Sequence, residues 1–371
     1  MKVIHVLLGR PAPESMNGVN KAVHQLATHQ ARLGWQVEVW ALTHSTRTEQ
    51  HTGYITRYFA PSRWRFALPS DLRRCLAGLA SGRTLFHLHS VFLPEFFVIS
   101  RSLRSAGIPW VLSPHGGYAS LLHKPSLAKT LYARSFERYV TDQAAAIHVL
   151  GPYGEREHLS RIAKMRAVEI PNGQDPARSL ERTYNSGAGL RLVFCGRLAA
   201  LQKGLDRLLD GLAKARLAGC DVSLDLIGDG EDRQSLERTC RERGLDRIVR
   251  FHGALFGSEK LRVLLEGDVF VHVSRWEGLP TAALEAAASG LPLLISRETN
   301  LGAFVSQSGA GIVLNETNPD SISRAIYELA EIKIRNALSR LGSAARAGVD
   351  RSFDWSEVAR RHLDTYRTVV N

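Results

Sequence analysis

The apolar runs of this chain are short and continuous, and each is followed by a polar or glycine-containing loop and then by a helical pattern. KVIHVLLG precedes such a loop and the pattern VNKAVHQLATHQARLG, and WQVEVWAL begins the next run. TLFHLHS, PWVLSP and AAIHVLG continue the series, with EFFVISRSLRSAG and a helical stretch around 129–139 between them. Continuous apolar strands separated by helices predict a parallel sheet covered on both faces. Residues 1–172 are therefore expected to form a Rossmann-like, doubly wound α/β domain.

The same pattern restarts in the second half of the chain. IPNGQD combines a Pro, an Asn-Gly turn and an Asp, which marks a strong break, and the polar segment 173–189 is predicted to be a linker. LRLVFCG, VSLDLIGDG, IVRFHG, VFVHVS and PLLIS then supply the strands of a second α/β domain, 190–353. The last segment, 354–371, predicts an amphipathic helix that either caps the second domain or packs back onto the first.

Nearly all of the net positive charge lies in the first half. The chain has 371 residues and a formal net charge of +12. Residues 1–172 contain 21 Lys and Arg against 10 Asp and Glu, whereas the remainder contains 27 against 26. Such an asymmetry predicts an anionic partner for the first half: a membrane surface, a nucleic acid or a phosphorylated substrate.

The sequence shows no sign of membrane insertion, export or a cysteine-based site. No uninterrupted apolar run is long enough to span a bilayer, and MKVIHVLLGR, which lacks a small-residue cleavage site, is typical of a first strand rather than a signal peptide. The four cysteines include no CxxC pair, which disfavours zinc and a disulfide framework. A cytoplasmic location is expected.

The first loop of chemical interest follows LRLVFCG, because open α/β sheets bind ligands at the carboxyl ends of their strands. Arg197 and Lys203 flank a short segment before a helix predicted to begin at Gly204. Two cations beside a helix N-terminus suit a diphosphate, since the helix dipole and free N–H groups add to their charge. A pair of solvated surface cations would give the same pattern.

The second loop is SRWEGLPTAALEAAASG, in which Glu277 and Glu285 stand eight residues apart among small and apolar residues. Pro280 fits the start of an alanine-rich helix that Gly290 ends, so Glu277 lies in the loop and Glu285 on the helix. A carboxylate can accept hydrogen bonds from two adjacent hydroxyls, as in a ribose or a sugar ring. The alternatives are a solvent-facing Glu285 and a Glu277 that only balances the helix dipole. The alanines are expected to leave clearance for a ligand.

The order of these motifs resembles glycosyltransferase family 4, whose members are retaining, nucleotide-sugar-dependent enzymes of the GT-B fold. The resemblance covers most of the chain through GRL…KG, GDG, RFHG, PNG and an N-terminal Gly loop, and is most specific in SRWEGLPTAALEAAASGLP. It implies two Rossmann-like domains that face each other across a cleft, with the acceptor on the first and the donor on the second. It also implies a UDP-, GDP- or ADP-linked sugar as donor substrate, with no cofactor and no bound metal.

The resemblance assigns a role to each matched residue of the second domain. Arg197 and Lys203 would hold the donor diphosphate, Glu277 would contact hydroxyls of the donor sugar, and all three are expected to be catalytic. Glu285 would bind the nucleotide ribose. The start of the helix would cradle the phosphates through backbone N–H groups near Leu279 to Thr281, and the donor-binding segment also includes Gly278 and Pro280. Gly228 and Gly230 would leave room for the nucleotide, and the segment near Arg250 and Phe251 would line its base.

In the first half, VLSPHGGYAS places His115 after a strand end and before two glycines. The resemblance implies that His115 is catalytic and contacts the donor sugar or the acceptor, and a structural histidine is the alternative. The loop PESMNGVNKAV has Asn17 and Gly18 where the family usually has Gly-Gly. Gly18 keeps the implied close backbone approach to phosphate or acceptor, and Asn17 departs from the family pattern at this site.

Two further motifs raise the question of a metal. HLHS places His87 and His89 on one face of a strand, but no third ligand with suitable spacing is apparent, so no metal site is expected. DGED, residues 229–232, lies at a turn into a helix and is interpreted as helix capping.

Together these features and the resemblance predict transfer of a hexose-like residue from a nucleoside diphosphate sugar to a glycan hydroxyl, with electrostatic stabilisation of the leaving group. Anomeric retention is implied by the resemblance to the family rather than by any residue. Bacterial members of the family often use lipid-linked acceptors in lipopolysaccharide, capsule or exopolysaccharide biosynthesis. The segment RWRFALPSDLRRCLAGLASGR, 63–83, mixes Arg, Trp and Leu as a membrane-surface segment does, which favours peripheral contact with the inner face of the cytoplasmic membrane. A basic helix packed on its own sheet is the alternative.

Two other classes of function stay open. One is a GT-B relative with different chemistry, either a glycosyltransferase with a small soluble acceptor or a nucleotide-sugar epimerase. The other is a non-enzymatic nucleic-acid binder, which only the charge suggests. Because no RNA- or DNA-binding motif with interleaved aromatics accompanies that charge, no nucleic-acid partner is expected.

Overall fold

The computed structural model describes residues 1–13, 15, 17–79, 82–119, 126–156, 159, 167–176 and 189–370. The chain divides into two compact units: unit 1 comprises Met1–Gly173 with Trp355–Asn371, and unit 2 comprises Gln174–Asp354. Most of the predicted linker 173–189 lies outside the described residues, as do residues 80 and 81 of the basic segment and residues 14 and 16 of the N-terminal Gly loop.

Unit 1 contains an eight-stranded sheet whose strand order is β3-β4-β2-β1-β5-β6-β7-β8. The strands are β1 Lys2–Leu8, β2 Gln36–Leu42, β3 Arg47–Gln50, β4 Ile55–Phe59, β5 Thr84–His89, β6 Trp110–Ser113, β7 Ala146–Val149 and β8 Ala167–Glu169. All neighbouring pairs are parallel except β3 with β4. Strands β3, β4 and β8 are not among the strands predicted from the sequence. Strand β3 is polar and largely exposed, and β8 has only three residues.

Unit 2 contains a six-stranded, all-parallel sheet in the order β11-β10-β9-β12-β13-β14. The strands are β9 Leu190–Cys195, β10 Val222–Ile227, β11 Val249–Gly253, β12 Val269–His272, β13 Leu293–Ser296 and β14 Gly311–Leu314. The direction of winding reverses between β9 and β12. The loops that leave these two strands therefore flank the switch point at which such sheets bind ligands.

Helices connect the strands in the order that the alternating pattern predicts. They are α1 Gly18–Arg32, α2 Ser70–Ala77, α3 Pro94–Ser105, α4 Leu127–Tyr132, α5 Arg138–Asp142, α6 Ala200–Lys203, α7 Leu205–Leu217, α8 Arg233–Glu242, α9 Gly257–Glu266, α10 Thr281–Ala288, α11 Gly302–Ser308, α12 Pro319–Ile334, α13 Leu338–Ser352 and α14 Trp355–Val370. A π-helical turn, Ala133–Glu137, joins α4 to α5, and a short 3₁₀ helix, Arg297–Thr299, follows β13.

The C-terminal helix α14 belongs to unit 1. It packs against α1, and its Leu363 and Tyr366 share a buried apolar cluster with Val3 and Leu85 of the sheet. Of the two placements expected for this segment, the amphipathic helix has the second, with its apolar face buried on the first half of the chain.

The alanines of α10 are core residues. Ala283, Ala286, Ala287 and Ala288 are fully buried, and α10 packs against α13. The expectation that these alanines leave clearance for a ligand is wrong, because protein atoms already cover them. Their small side chains instead let two helices approach closely.

Candidate active site

The loops after β9 and β12 meet at the switch point of unit 2. Lys203 ends the four-residue helix α6, and Gly204 follows it with a left-handed φ of 66°. A Cβ atom at Gly204 would overlap the carbonyl oxygen of Val273, in the loop after β12. Only glycine therefore allows the backbone that carries Lys203 to pass this close to the backbone that precedes Glu277.

Glu277 is the centre of a small polar cluster, and its three side-chain partners all contact the same carboxylate oxygen, Oε1. Its Oε1 forms an ion pair with Lys203 Nζ and accepts hydrogen bonds from His272 Nε2 at 3.1 Å and Ser274 Oγ at 3.2 Å. The Lys203 and Glu277 side chains are 13% and 10% exposed. Within the described part of the chain, Oε2 of Glu277 makes no hydrogen bond. Two residues that the sequence assigned to different parts of the donor are thus each other's partners.

The environment of Glu277 keeps its carboxylate ionised. Burial alone would raise the pKa of Glu277, but the charge of Lys203 and the hydrogen bond from His272 hold it well below its ordinary value. Burial also lowers the pKa of His272, so this ring is a neutral donor. His272 is not among the residues predicted from the sequence, although it is the single polar residue in the strand VFVH.

Two further side chains fix the loop that carries Glu277. Asn300, in the left-handed conformation after β13, donates from Nδ2 to the carbonyl oxygens of Glu277 at 3.2 Å and Gly278 at 2.7 Å. Arg275 forms a bidentate pair with Asp206 at 2.8 and 2.6 Å and donates to the carbonyl oxygen of Leu201 at 2.7 Å. The loop is therefore tied both to the segment after β13 and to the loop after β9.

Helix α10 begins one residue after Pro280, which is its N-cap and offers no side-chain capping bond. Leu279 and Pro280 are buried, and Thr281 is the first helical residue. Glu285 is half-buried and accepts a hydrogen bond at 2.6 Å from Nζ of Lys260 on α9. Glu285 is therefore not a solvent-facing glutamate, and Lys260 is a partner that no local sequence pattern indicated.

Arg197 lies at the exposed rim of this region. Its guanidinium donates to Oε1 of Gln202 at 2.8 Å and lies 3.6 Å from a carboxylate oxygen of Glu231. The side chain is 59% exposed, whereas that of Lys203 is 13% exposed. The two cations of the predicted diphosphate site therefore differ: Arg197 is largely exposed, and Lys203 is buried against Glu277.

Gly228 and Gly230 have a packing role that is independent of any ligand. A Cβ atom at Gly228 would overlap the carbonyl oxygen of Gly196, and one at Gly230 would crowd the backbone of Leu198. These glycines let the loop after β10 lie against the loop after β9. Their predicted role in making room for a nucleotide stays a prediction.

Arg250 and Phe251 lie on the edge strand β11, where Arg250 is exposed and Phe251 packs against the hydrophobic core of unit 2. The interpretation of DGED as the cap of the helix that follows it needs correction. Asp232 precedes α8 but makes no capping bond to it. Its carboxylate instead accepts from the backbone N–H of Ala200 at 2.7 Å, at the start of α6, because the glycine contacts bring the two loops together.

In unit 1, His115 follows β6 in a strained backbone conformation, with φ at 53°. The residue is half-buried, and its Nε2 lies 2.9 Å from Nδ1 of His89. The next residue, Gly116, donates its N–H to the buried carboxyl group of Glu155. Burial lowers the pKa of His115 to about 3 and raises the pKa of Glu155 to about 8. Strain of this kind is maintained only where neighbours hold it, and it concentrates at functional sites.

Asn17 and Gly18 lie at the start of α1, in the loop after β1. Asn17 is the N-cap residue, and its side-chain oxygen accepts from the N–H of Val19 at 2.9 Å. Gly18 is the first helical residue and is exposed. The side chain of Asn17 is therefore engaged in capping, which gives a local reason for Asn at this position.

A third histidine lies beside His87 and His89, contrary to the expectation from sequence. The parallel register of β1 and β5 pairs His5 with His87, and one ring nitrogen from each of the three histidines lies within 4.8 Å of the others. The sequence concealed His5 because sheet pairing joins positions more than eighty residues apart. Three imidazoles are a donor set that a transition metal accepts, and the expected absence of a metal stays a prediction.

Comparison with known proteins decides the family. Two family models match the chain. The one described as "Glycosyl transferase 4-like domain" matches residues 17–173, and the one described as "Glycosyl transferases group 1" matches residues 189–331. The chain belongs to the group 1 glycosyltransferases. The enzyme is 27% identical over its whole length, and over 97% of the relative, to a GDP-mannose:cellobiosyl-diphosphopolyprenol alpha-mannosyltransferase of Xanthomonas campestris.

A second relative and a solved structure agree with this assignment. The enzyme is 25% identical, over 71% of each chain, to a GDP-mannose-dependent alpha-(1-6)-phosphatidylinositol monomannoside mannosyltransferase of Mycobacterium tuberculosis. Its fold matches that of a sucrose-phosphate synthase from Thermosynechococcus elongatus with a TM-score of 0.79 at 20% identity, over 99% and 98% of the two chains. The fold is that of the GT-B glycosyltransferases. Among the described residues, no helix is long and apolar enough to cross a membrane.

The Lys203–Glu277 pair gives a test of the site's electrostatics. Lys203→Met should lower the free energy of unfolding by about 3–5 kcal/mol, because it leaves a buried carboxylate without its cation. In a Glu277→Gln background the same change should cost much less. Since the folded-state pKa of Glu277 is lowered, the coupling is present above the unfolded pKa of about 4.3 and is lost as the pH falls toward the folded-state value.

Urea denaturation of the four proteins of this double-mutant cycle at pH 7 measures the coupling. Lys214→Met is the matched control, since it removes the cation of the exposed pair that Lys214 forms with Asp320, and it should have little effect. If Lys203→Met lowers the free energy of unfolding equally in the wild-type and Glu277→Gln backgrounds, Lys203 and Glu277 are not coupled and the prediction is wrong.

Proposed function

We propose that the enzyme transfers a hexose from a nucleoside diphosphate sugar to a hydroxyl of a lipid-linked glycan, with retention of the anomeric configuration. The observation that carries this proposal is the Glu277 cluster at the switch point of unit 2. Oε1 of Glu277 is held by three donors, while Oε2 is left to accept a hydrogen bond from a sugar hydroxyl. The cation of Lys203 lies beside it.

The donor is proposed to bind along the loops after β9 and β12. Arg197 is exposed and would contact the diphosphate, together with Lys203 and backbone N–H groups at the start of α10. Glu285, oriented by Lys260, would accept hydrogen bonds from the ribose hydroxyls. These positive groups would stabilise the leaving diphosphate, so the proposed chemistry needs no metal.

The lowered basicity of Glu277 favours a particular role for it. A carboxylate whose Oε1 already accepts from three donors, and whose pKa is well below its ordinary value, is a weak base and a weak nucleophile. Glu277 is therefore proposed to orient the sugar rather than to attack it. Retention would then follow from a front-face route in which the leaving phosphate oxygen removes the proton of the acceptor hydroxyl.

GDP-mannose is the first donor to test. Both named relatives are described as GDP-mannose-dependent mannosyltransferases, and both act on an acceptor that carries a lipid. By this similarity the enzyme is proposed to extend a lipid-linked saccharide in the biosynthesis of a cell-surface polysaccharide, whether lipopolysaccharide, capsule or exopolysaccharide.

Unit 1 carries a surface suited to a membrane-bound acceptor. Trp64 and Leu127 are 71% and 78% exposed, and Phe66 and Leu131 are also exposed. The ring of Phe66 lies 4.8 Å from that of Phe136, which places the segment around Trp64 beside the helix that carries Leu127. We call this set, with the exposed Arg73 and Arg74 of α2, the aromatic–basic surface.

Exposed large apolar side chains next to arginines favour the interface of an anionic bilayer. Leu72 and Leu76 of α2 are buried, so that helix packs on its own unit with one face and presents its arginines on the other. Packing on its own unit and contact with a membrane are therefore compatible, because they would use different faces of α2. Peripheral binding at the inner face of the cytoplasmic membrane is the proposed location.

A panel of nucleotide sugars tests the donor site. GDP-mannose should raise the melting temperature of the enzyme more than UDP-glucose or ADP-glucose does. Glu285→Ala should weaken binding of GDP about tenfold or more, because two hydrogen bonds to a charged acceptor are lost.

Glu328→Ala is the matched control, since Glu328 is an exposed helical glutamate of the same unit. It should leave the affinity for GDP unchanged. If no nucleotide sugar stabilises the wild-type enzyme, the proposed donor site is wrong.

Vesicle sedimentation tests the aromatic–basic surface. Wild-type enzyme should bind vesicles that contain phosphatidylglycerol and bind pure phosphatidylcholine weakly. The double variant Arg73→Glu, Arg74→Glu should bind the anionic vesicles several-fold less, since each basic group near such a surface contributes about 1 kcal/mol. Arg335→Glu, Arg340→Glu changes the net charge equally on unit 2 and should bind as wild type does. Equal losses for the two double variants would argue for a non-specific charge effect only.

A further inference from the structure

A continuous chain of hydrogen bonds lies in unit 1 between the sheet and α14. Eight contacts join nine residues end to end. In order, with the distance to the next member, they are His115 (2.9 Å), His89 (2.9 Å), His5 (2.8 Å), Gln30 (3.4 Å), Tyr366 (2.6 Å), His87 (2.5 Å), Ser113 (2.5 Å), His148 (2.6 Å) and the carbonyl oxygen of Ile170. One end is buried at a backbone carbonyl, and the other reaches the partly exposed candidate residue His115.

Ile170 fixes the direction of the first arm, because a carbonyl oxygen can only accept. His148 must therefore carry its proton on Nε2, and a neutral His148 accepts at Nδ1 from the hydroxyl of Ser113. Ser113 has one proton, so its oxygen accepts from Nε2 of His87. Nδ1 of His87 is then left to accept from the hydroxyl of Tyr366.

The second arm follows from the first. Since the hydroxyl proton of Tyr366 is already committed, its oxygen accepts from Nε2 of Gln30, and Oε1 of Gln30 accepts from Nε2 of His5. Nδ1 of His5 accepts from Nε2 of His89. Nδ1 of His89 in turn accepts from Nε2 of His115.

The opposite orientation of the Gln30 amide would place a charge in the core. In that orientation Oε1 of Gln30 would accept from the hydroxyl of Tyr366, so the oxygen of Tyr366 would accept from Nδ1 of His87. Donor and acceptor would then exchange in each following contact as far as Nδ1 of His148. Because His148 Nε2 still donates to a carbonyl, one buried ring would then hold two protons. Burial disfavours that cation, and it lowers the pKa of His148 to about 4 and that of His87 well below its ordinary value.

We propose that this chain fixes His115 as the tautomer with its proton on Nε2, which leaves Nδ1 as a hydrogen-bond acceptor for a sugar hydroxyl, and that His89 is the positioning residue. Among the described residues, Nδ1 of His115 has no hydrogen-bond partner. The inference rests on the proposed function, and it narrows the ligand at His115. A neutral ring that presents a lone pair accepts from a hydroxyl and repels a phosphate or carboxylate oxygen, so His115 contacts a sugar and not the diphosphate.

The same contacts bear on the metal alternative. Each ring nitrogen of His5, His87 and His89 already has a hydrogen-bond partner, so a metal ion would have to displace protons from the chain. The two arrangements are mutually exclusive, and the metal content of the purified enzyme separates them.

A pair of amide variants at His89 tests the positioning role. The oxygen of Asn occupies the place of Nδ1, whereas the amide nitrogen of Gln occupies the place of Nε2. His89→Asn therefore keeps the acceptor for His115 and loses the link to His5, and His89→Gln does the reverse. His89→Gln should lower kcat/KM for the donor about tenfold, the effect of one hydrogen bond, while His89→Asn stays near wild type.

The spectroscopic readout is the protonation of the ring nitrogens, measured by nitrogen-15 NMR of enzyme labelled at its histidines. His115→Gln identifies the His115 signals among the 14 histidines. Wild type and His89→Asn should show His115 protonated on Nε2 alone, and His89→Gln should show a mixture of tautomers. Tyr366→Phe removes the hydroxyl that orients Gln30, so it should also give a mixture of tautomers at His115. Tyr54→Phe is the control, because it breaks a tyrosine–histidine contact outside this chain of hydrogen bonds, at His24, and should leave His115 as in wild type.

Three results would overturn the inference: a proton on Nδ1 of His115 in wild type, equal behaviour of the two amide variants, or one equivalent of tightly bound zinc whose removal changes the His5 and His89 signals. The NMR experiment needs no substrate, so the two proposals fail separately. An inactive wild type with the expected tautomer would refute the proposed function, whereas an active wild type with the other tautomer would refute the inference.

Discussion

The candidate site of unit 2 depends on one buried carboxylate and the backbone contact that makes its pairing feasible. Glu277 is ionised in a nearly closed environment, which is tolerable only because Lys203, His272 and Ser274 all address one of its oxygens. Lys203 reaches it because Gly204 lets the loop after β9 pass against the loop after β12. The protein holds Oε2, the remaining oxygen, in place, but no described residue donates a hydrogen bond to it. This is the preorganisation that a sugar-binding carboxylate requires.

The sequence predicted the strand–loop–helix alternation, the two Rossmann-like halves, the loop that carries Glu277 and the helix that carries Glu285. These features depend on local patterns and on spacing within one segment, so they can be read from sequence. Lys260, Asn300 and His5 could not be found in this way, because each is brought to its partner by sheet order or helix packing across a long stretch of chain. The expected role of the alanines of α10 was wrong because small side chains can either make room for a ligand or let two helices pack closely. The sequence is the same in both cases, and only the burial of these residues distinguishes them.

Unit 1 differs from unit 2 in that it buries several histidines in their neutral form. Burial lowers the pKa of each ring in the chain from His115 to His148, and hydrogen bonds in a single direction satisfy them. The C-terminal helix is part of this arrangement, because Tyr366 connects the two arms. A residue near the end of the chain thereby helps to define the protonation of a residue in the loop after β6.

The central claim is that Glu277 serves the sugar and not the nucleotide. Calorimetric titration of GDP into wild type and Glu277→Gln, combined with rates of mannosyl transfer, tests it most directly. The account predicts an affinity for GDP that differs by less than about twofold, well under the tenfold step of 1.4 kcal/mol, and a transfer rate that falls about a hundredfold, as when one transition-state contact is removed. A loss of GDP affinity that matches the loss of rate would contradict the account.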